Sequence, residues 1–288
     1  MRATELDAWL TDWIKDAVNQ GSDNSLRNPA NEKAWREPLV GVAAGDDPIF
    51  AECKRHIGDF FWRPEEAYAL AFPDDPAPAA ELRVVAWILP QADPTRAENA
   101  AQKVYPSERW ARARHFGEMF NVGLRRGVAE ALNQRGLPAL APMLHPAWAW
   151  QTSQKYSFAS NWSERHAAHA AGLGTFGLCD GLITPVGKAV RVGSVITRAP
   201  LTVTPRPYAG IHDYCLFYSH GTCRKCVPRC PVKALSDSGH DKDKCHRHVN
   251  QVCREYSTKN YGIATDCCGL CQTAVPCGDH IPAPEEGL

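Results

Sequence analysis

The sequence predicts an α+β fold in which a sheet-and-helix domain is followed by a small cysteine-rich module. Helical and strand patterns are mixed over the upstream part of the chain, and no internal repeat is visible there. Ten of the 12 cysteines, by contrast, lie from Cys215 onward. The expected boundaries are an N-terminal helix and connector over 1–37, the sheet-and-helix domain over 38–206 and the cysteine-rich module over 207–288.

Composition limits the class of protein. The 288 residues carry 32 basic and 32 acidic side chains, so the formal net charge is zero. This balance removes the general electrostatic argument for nucleic-acid binding, although a local basic patch stays compatible with it. The first residues lack the apolar core of a signal peptide, and no apolar run has the length of a membrane span. We therefore expect a cytoplasmic protein without a membrane partner, whose clustered thiols bind metal more readily than they form disulfides.

The first elements follow from apolar spacing. Residues 6–17 repeat apolar side chains at helical spacing, and the polar stretch 20–38, broken by Gly and Pro, predicts a connector. The run at 38–45 predicts a buried strand, and Asp47-Pro48 predicts the start of a helix that extends to about Ile57. Residues 82–90 are apolar on both faces, which predicts a strand in the centre of a sheet.

The second half of the upstream domain begins with a long helix over about 107–134, whose apolar residues recur every four positions. A further helix is predicted over about 162–171, where a Gly-Leu-Gly segment ends it. The two stretches that follow, LCDGLITP and AVRVGSVITRAPL, predict strands or a hairpin pair. The proline-rich segment from Pro200 to Pro207 marks the boundary to the cysteine-rich module.

The cysteines of this module follow the spacing of iron–sulfur proteins. Cys223-x2-Cys226-x3-Cys230-Pro231 is the end of the bacterial two-cluster pattern, in which the cysteine before proline binds the other cluster. We therefore predict two [4Fe-4S] clusters with crossed ligands. The first cluster is expected on Cys215, Cys223, Cys226 and Cys277, and the second on Cys230, Cys245, Cys268 and Cys271.

Alternatives to this assignment stay open. Paired Cys-x2-Cys units also suit tetrahedral zinc, and disulfides are a third possibility. His220 stands where the pattern normally has its first cysteine, so it is an alternative ligand to Cys215. Two clusters need only eight thiolates, so Cys253 and Cys267 are interpreted as spare cysteines, while Cys53 and Cys179 are interpreted as small buried apolar residues.

A longer segment carries a resemblance to a known superfamily. The stretch AAHAAGLGTFGLCDGLITPVGKAVRVGSVITRAPL, ahead of the Cys-Pro motif, resembles the epoxyqueuosine reductase and reductive dehalogenase superfamily. The segments DPIFAECKRHIG (47–58) and RWARARHFGEMFNVGLRRGVAEAL (109–132) are similar to upstream parts of these proteins. The resemblance covers roughly residues 38–288 and is strongest over 166–288.

The resemblance implies a corrinoid enzyme. It implies a nitroreductase-like corrinoid-binding domain followed by a ferredoxin-like domain with two [4Fe-4S] clusters, which pass electrons singly to the cobalt of cobalamin. By carry-over, Gly172, Leu173 and Gly174 line the corrin, and the backbone from Leu182 to Gly187 lies nearby. Small residues let the backbone approach a flat ligand closely, but a Gly-Leu-Gly segment is also the ordinary end of a helix.

At the position of the proton donor, this sequence differs from one branch of the superfamily. The epoxyqueuosine reductases carry an acidic residue at the place that Phe158 occupies here. Dehalogenases use a tyrosine beside a basic residue, so Tyr156 is the candidate donor, tuned by Lys155 or Arg165. A cation makes tyrosine a better acid by stabilising its phenolate. The alternative is a surface tyrosine beside a solvated lysine.

Three functions are compatible with these patterns. The first is a corrinoid-dependent reductase of a small organic substrate, supplied with electrons by an external ferredoxin, flavodoxin or reductase. The second is an electron-transfer or corrinoid-reducing protein without its own substrate chemistry. The third is an iron–sulfur protein that does not use cobalamin. The neutral charge argues against tRNA as a partner.

Overall fold

A computed structural model of the chain describes residues 3–287. The helices are α1 (Ala3–Gln20), α2 (Pro48–Ile57), α3 (Pro64–Ala71), α4 (Asp93–Ala100), α5 (Glu108–Arg112), α6 (Glu118–Asn133), α7 (Glu164–Ala170), α8 (Leu216–His220), α9 (Lys242–Arg247) and α10 (Arg254–Tyr261). The strands are β1 (Leu39–Ala44), β2 (Arg83–Pro90), β3 (Ala139–Leu140), β4 (Trp150–Ser153), β5 (Ser157–Ser160), β6 (Thr175–Phe176), β7 (Leu182–Ile183), β8 (Val190–Thr197), β9 (Leu235–Ser236) and β10 (Gly239–His240). The predicted mixture of helices and strands is confirmed.

A four-stranded antiparallel sheet forms the centre of the upstream part. Its strand order is β1-β2-β8-β3, so β2 lies inside the sheet as its apolar character on both faces predicts. Successive side chains of β2 point to opposite faces. One face packs with α1 and α6, and the other packs with α2, α3 and α7. The sheet is therefore covered by helices on both sides, and the core is divided between its two faces.

The opening helix is held by the stripe that its spacing predicts. Leu6, Leu10, Ile14 and Val18 of α1 are buried against the first face of the sheet. Burying an aliphatic side chain of this size contributes about 1.5–3 kcal/mol. The start of α2 is also as predicted, because the Asp47 carboxylate accepts a hydrogen bond from the Ile49 amide.

The long helix predicted over 107–134 is interrupted. A π-helical turn, Ala113–Gly117, separates α5 from α6. Trp35 lies against this turn and donates from Nε1 to the Gly117 carbonyl at 3.1 Å. A Cβ atom at Gly117 would lie 2.6 Å from the Trp35 ring, so only glycine admits the indole at this position.

Two further differences concern the strands. β7 pairs with β6 and β8 pairs with β2 and β3, so the two stretches predicted as a possible hairpin do not pair with each other. The hairpin formed by β4 and β5 was not predicted. Its strands are short and mostly exposed, so they lack the alternating apolar pattern on which strand prediction depends.

The cysteine-rich part consists of short elements joined by turns. Between the end of β8 at Thr197 and the start of α8 at Leu216, the described chain contains no helix or strand, as the proline-rich composition predicts. Among residues 3–287, no helix combines the length and the apolar character that crossing a membrane requires.

Candidate metal centre

Four cysteines converge on one buried cavity. Cys215, Cys223, Cys226 and Cys277 all line it, and three of them are buried. Its remaining wall is largely apolar and includes Leu178, Ile183, Leu216, Phe217 and Val275. A dry, thiol-lined cavity of this kind suits a metal centre better than it suits exposed nucleophilic chemistry.

Local hydrogen bonds shape the loop that supplies these thiols. The Val227 amide donates to the Arg224 carbonyl at 2.9 Å, and the Cys230 amide donates to the Val227 carbonyl at 3.1 Å. These tight turns bring the chain back on itself between Cys223 and Cys230. The motif therefore presents its thiols from one compact loop rather than from an extended segment.

The structure distinguishes the two alternatives for the displaced first ligand. Cys215 is buried at the cavity, immediately before α8. His220 is exposed at the end of the same helix, and its Nδ1 atom lies 2.8 Å from the Ser219 hydroxyl. The geometry thus brings Cys215, and not His220, to the three other thiols.

A lysine and a further cysteine adjoin this cavity. The Lys188 ammonium is buried, and its Nζ atom lies 3.5 Å from the Cys179 sulfur. A hydrogen bond from Cys271 and the charge of Lys188 hold the pKa of Cys179 well below its usual range, although burial opposes this shift. Burial likewise opposes the charge on Lys188, but the surrounding sulfurs raise its pKa. Cys179 is therefore more than a small buried apolar residue.

The cysteines predicted for the second cluster are distributed among different contacts. Cys230 and Cys271 pack against the sulfurs of the first cavity. The sulfurs of Cys268 and Cys253 lie within 4.8 Å of each other. Cys245 lies near His240, whose Nδ1 atom is 2.9 Å from the Asp180 carboxylate. The structure thus brings Cys230 and Cys271 near the first group, Cys268 near Cys253, and Cys245 near His240.

A separate group of metal-ligating side chains includes Cys253, which was predicted to be a spare cysteine. The ligand atoms of His248, Cys253 and Cys268 all lie within 4.8 Å of one another. The Cys253 sulfur is 3.2 Å from His248 Nε2, and both residues are buried. They are the two ends of a π-helical turn, His248–Cys253, in which hydrogen bonds join residues five apart.

Cys245 and Cys267 have other environments. The His240 Nδ1 atom lies 2.9 Å from the Asp180 carboxylate, and Cys245 lies near the same imidazole. Burial opposes the protonation of His240, but Asp180 and Cys245 raise its pKa to about 10. Cys267 packs beside Trp110, and burial raises the pKa of its thiol to about 12. Cys267 thus packs with Trp110, in a different apolar group from Cys215, Cys226 and Cys277.

The residues that the resemblance assigns to the corrinoid are packed against protein. A Cβ atom at Gly172 would meet the Pro205 carbonyl at 2.8 Å, and one at Gly174 would meet the Ile183 carbonyl at 2.3 Å. Leu173 and Leu182 are buried in the core on the second face of the sheet. These contacts account for the glycines without a bound ligand, so the corrinoid assignment remains a prediction.

Gly187 has the same kind of surroundings. Its φ is +82°, and a Cβ atom there would lie 2.3 Å from the Asp279 backbone. The turn that contains Gly187 therefore packs directly on the C-terminal part of the module. This close approach is a structural reason for glycine at the position.

The predicted proton donor lies at the β4–β5 turn. Lys155 Nζ is 5.2 Å from the centre of the Tyr156 ring, and Lys242 Nζ approaches the same ring at 5.0 Å. Both cations thus lie over the tyrosine ring, and the proposed role of Lys155 in tuning the phenol stays a prediction. Arg165 instead donates from its guanidinium to the Asp180 carbonyl. Phe158 lies on β5, with its ring 4.8 Å from that of His246.

Three features of the site were missed by the sequence analysis. Lys188 was missed because no motif surrounds it. The signal that could have identified it is its position as a single lysine between two apolar strands, which indicates a buried charge. Cys253 and His248 are five residues apart. Residues at this spacing lie on the same side of a helix when the turn is π-helical, and the sequence does not predict such a turn. Arg125 lies in the helix predicted over 107–134 and was not singled out, yet it is 2% exposed and paired with Glu118 and Glu164.

Comparison with known proteins supports the predicted resemblance. No family model matches the chain. An epoxyqueuosine reductase of Bacillus anthracis is 34% identical over 120 residues, which are 40% of this chain and 29% of that protein. A reductive dehalogenase, whose structure is described as suggesting a mechanism for B12-dependent dehalogenation, has a TM-score of 0.50 at 19% identity. It covers 86% of this chain and 31% of the dehalogenase. The matched parts are therefore less than a third of either relative's length.

The prediction about tRNA is wrong. The curated relative is an epoxyqueuosine reductase, and this finding overturns the expectation that excluded tRNA. A solved epoxyqueuosine reductase with an epoxyqueuosine-modified tRNA-Tyr stem loop is 17% identical and covers 99% of this chain and 71% of the reductase, with a TM-score of 0.48. The physical reason for the error is that net charge describes the whole surface, whereas a phosphate backbone is bound by local basic groups.

The curated relative and the shared dehalogenase fold confirm the resemblance of this chain to the epoxyqueuosine reductase and reductive dehalogenase superfamily.

Proposed function

We propose that the chain is an iron–sulfur oxidoreductase whose cysteine-rich module holds two [4Fe-4S] clusters. The observation that carries this proposal is the convergence of Cys215, Cys223, Cys226 and Cys277 on one buried cavity. Three of these thiols come from the first motif and the fourth from the far end of the module. This is the crossed arrangement typical of two-cluster ferredoxins.

The second cluster is proposed on Cys230, Cys268 and Cys271, with Cys253 in place of Cys245. The Cys253 and Cys268 sulfurs lie within 4.8 Å of each other, whereas Cys245 lies near His240. The substitution keeps the number of thiolates at four. Bound clusters of this type supply electrons one at a time, and the protein holds the thiols, excludes water and sets the local charge.

The glycine segment gives no separate support for the corrinoid that the resemblance implies. A Cβ atom at Gly172, Gly174 or Gly187 would meet protein backbone, so packing accounts for these glycines without a ligand. No step is therefore derived through cobalt. The acceptor of the electrons is proposed in two alternative forms.

In the first form the chain is a reductase of a small organic substrate, with the corrinoid bound elsewhere on the upstream part. In the second form it is an electron-transfer protein that reduces a corrinoid or another acceptor held by a partner. The filled surroundings of the three glycines favour the second form. Both forms need an external electron donor such as a ferredoxin, a flavodoxin or a reductase.

Hydroxocobalamin added to anaerobically purified, dithionite-reduced protein separates these forms. Cobalamin that remains with the chain through gel filtration and changes its absorption spectrum supports the reductase. Cobalamin that is reduced by the chain but elutes separately supports the electron carrier. Cobalamin that is neither retained nor reduced faster than with dithionite alone refutes the reductase form and excludes a corrinoid as the acceptor of the electron carrier.

For the reductase form, Tyr156 is the proposed proton donor. The ammonium groups of Lys155 and Lys242 contact its ring. Reductive removal of halide from a halogenated phenol consumes two electrons and one proton, and the proton would come from the Tyr156 hydroxyl. Tyr156→Phe should slow halide release by roughly two to four orders of magnitude. Release at the native rate would exclude this role.

A further inference from the structure

A buried lysine lies among the sulfurs of the first cavity. Lys188 is 2% exposed and lines the cavity together with Cys215, Cys223, Cys226 and Cys277. It belongs to the upstream part of the chain, in the segment between β7 and β8. A charged side chain thus reaches the thiol-lined cavity from outside the cysteine-rich module.

The backbone fixes the position of this lysine. The Lys188 amide donates to the Cys277 carbonyl at 2.9 Å, and the Ala189 amide donates to the Gly278 carbonyl at 3.4 Å. The preceding residue, Gly187, lies directly against Asp279. Lys188 is therefore tied at its main chain to one of the four cysteines, and its side chain has little freedom to leave.

The partners of its ammonium are sulfurs. Nζ lies 3.5 Å from the Cys179 sulfur, and the lysine lines the same cavity as Cys277. Cys226 and Cys271 also interact with its charge. Among residues 3–287, no carboxylate forms an ion pair with Lys188. A buried ammonium is costly unless negative charge compensates it, so the site calls for anionic sulfur.

We propose that Lys188 sets the reduction potential of the iron–sulfur cluster in this cavity. Cys179 acts with it as a positioning residue that holds the ammonium at the sulfurs. The inference rests on the proposed function, because it requires that a cluster is bound there. Reduction adds one negative charge to the cluster, so a nearby cation and its hydrogen bond stabilise the reduced form and raise the potential.

Redox titration of the full-length, anaerobically reconstituted protein, monitored by EPR, tests this role. Lys188→Met keeps the length of the side chain and removes its charge. We expect the equilibrium of one cluster to shift at least tenfold toward the oxidised form, which corresponds to a potential lower by about 59 mV for one electron. Lys188→Arg keeps the charge and should retain a potential close to the native one.

Lys225→Met is the matched control. Lys225 lies between two of the proposed ligands, Cys223 and Cys226, but it is exposed to solvent. Water screens a charge in that position, so its removal should shift the potential much less. Equal shifts in Lys188→Met and Lys225→Met, or native potentials of both clusters in Lys188→Met, would overturn the proposal.

A second measurement needs no variant. Native protein grown with 15N-labelled lysine should show a nitrogen coupling to the spin of the reduced cluster in pulsed EPR. If both clusters assemble and no such coupling is seen, the role of Lys188 is refuted while the proposed function stands. If no cluster assembles, the proposed function itself is refuted.

Discussion

Among single residues, His166 shows how the surroundings of a side chain change its pKa. Its ring packs against Phe61 and Phe176, and its Nδ1 atom lies 2.8 Å from the Ser163 hydroxyl. Burial lowers the pKa of His166 to about 3, helped by the nearby charge of Arg165. The folded protein therefore keeps this imidazole neutral at pH values where the unfolded chain protonates it.

This difference predicts a pH dependence of stability. Between the ordinary pKa near 6.5 and the folded pKa near 3, the unfolded chain binds a proton that the folded chain does not, so stability falls as the pH falls. His166 should lower the free energy of unfolding by up to about 2 kcal/mol between pH 7 and pH 5. His166→Gln should show a correspondingly smaller fall, measured by anaerobic chemical denaturation at both pH values. An identical fall in both proteins would contradict the prediction.

At the scale of elements, the π-helical turn His248–Cys253 decides which cysteine meets Cys268. In an α-helix, residues five apart do not share a face, but the wider turn places His248 and Cys253 together. Cys253→Ser should therefore remove one cluster, and iron should fall from about eight to about four atoms per chain. Cys245→Ser is the matched control and should retain both clusters. Loss of one cluster in Cys245→Ser and retention of both in Cys253→Ser would instead identify Cys245 as the ligand.

The turn before β8 gives a second prediction at this scale. A Cβ atom at Gly187 would lie 2.3 Å from the Asp279 backbone, whereas Gly221, with a similar positive φ of +68°, has open space around its Cβ position. Gly221→Ala should cost about 1 kcal/mol through backbone strain alone. Gly187→Ala should cost about 1–3 kcal/mol more, because the turn must move away from the module. Denaturation curves of the two variants test this, and equal costs would show that the close approach is unimportant.

Prediction of elements succeeded where apolar spacing was regular. The spacing of α1, the Asp47 cap of α2 and the apolar run of β2 each correspond to an observed element. It failed where long-range contacts decide the structure. The turn at Ala113–Gly117 is seated on Trp35, far away in the sequence, and the exposed β4–β5 hairpin has no apolar face.

At the scale of the whole molecule, the candidate site joins the two parts of the chain. Cys223 and Cys226 could be predicted from their spacing within one loop, which is a local property of the sequence, and Cys277 from the crossed ligands of two-cluster ferredoxins. Lys188 and Cys179 could not, because the fold brings them to the cavity from the upstream part. The placement of Cys253 beside Cys268 likewise depends on the path of the chain between them.

All of these proposals require that the module holds two [4Fe-4S] clusters. Metal analysis and Mössbauer spectroscopy of the anaerobically purified native chain can establish whether it does. We expect about eight iron atoms per chain, all in [4Fe-4S] clusters. The Cys226→Ser variant should contain about half as many. Zinc in place of iron, or about four iron atoms in the native chain, would contradict this expectation.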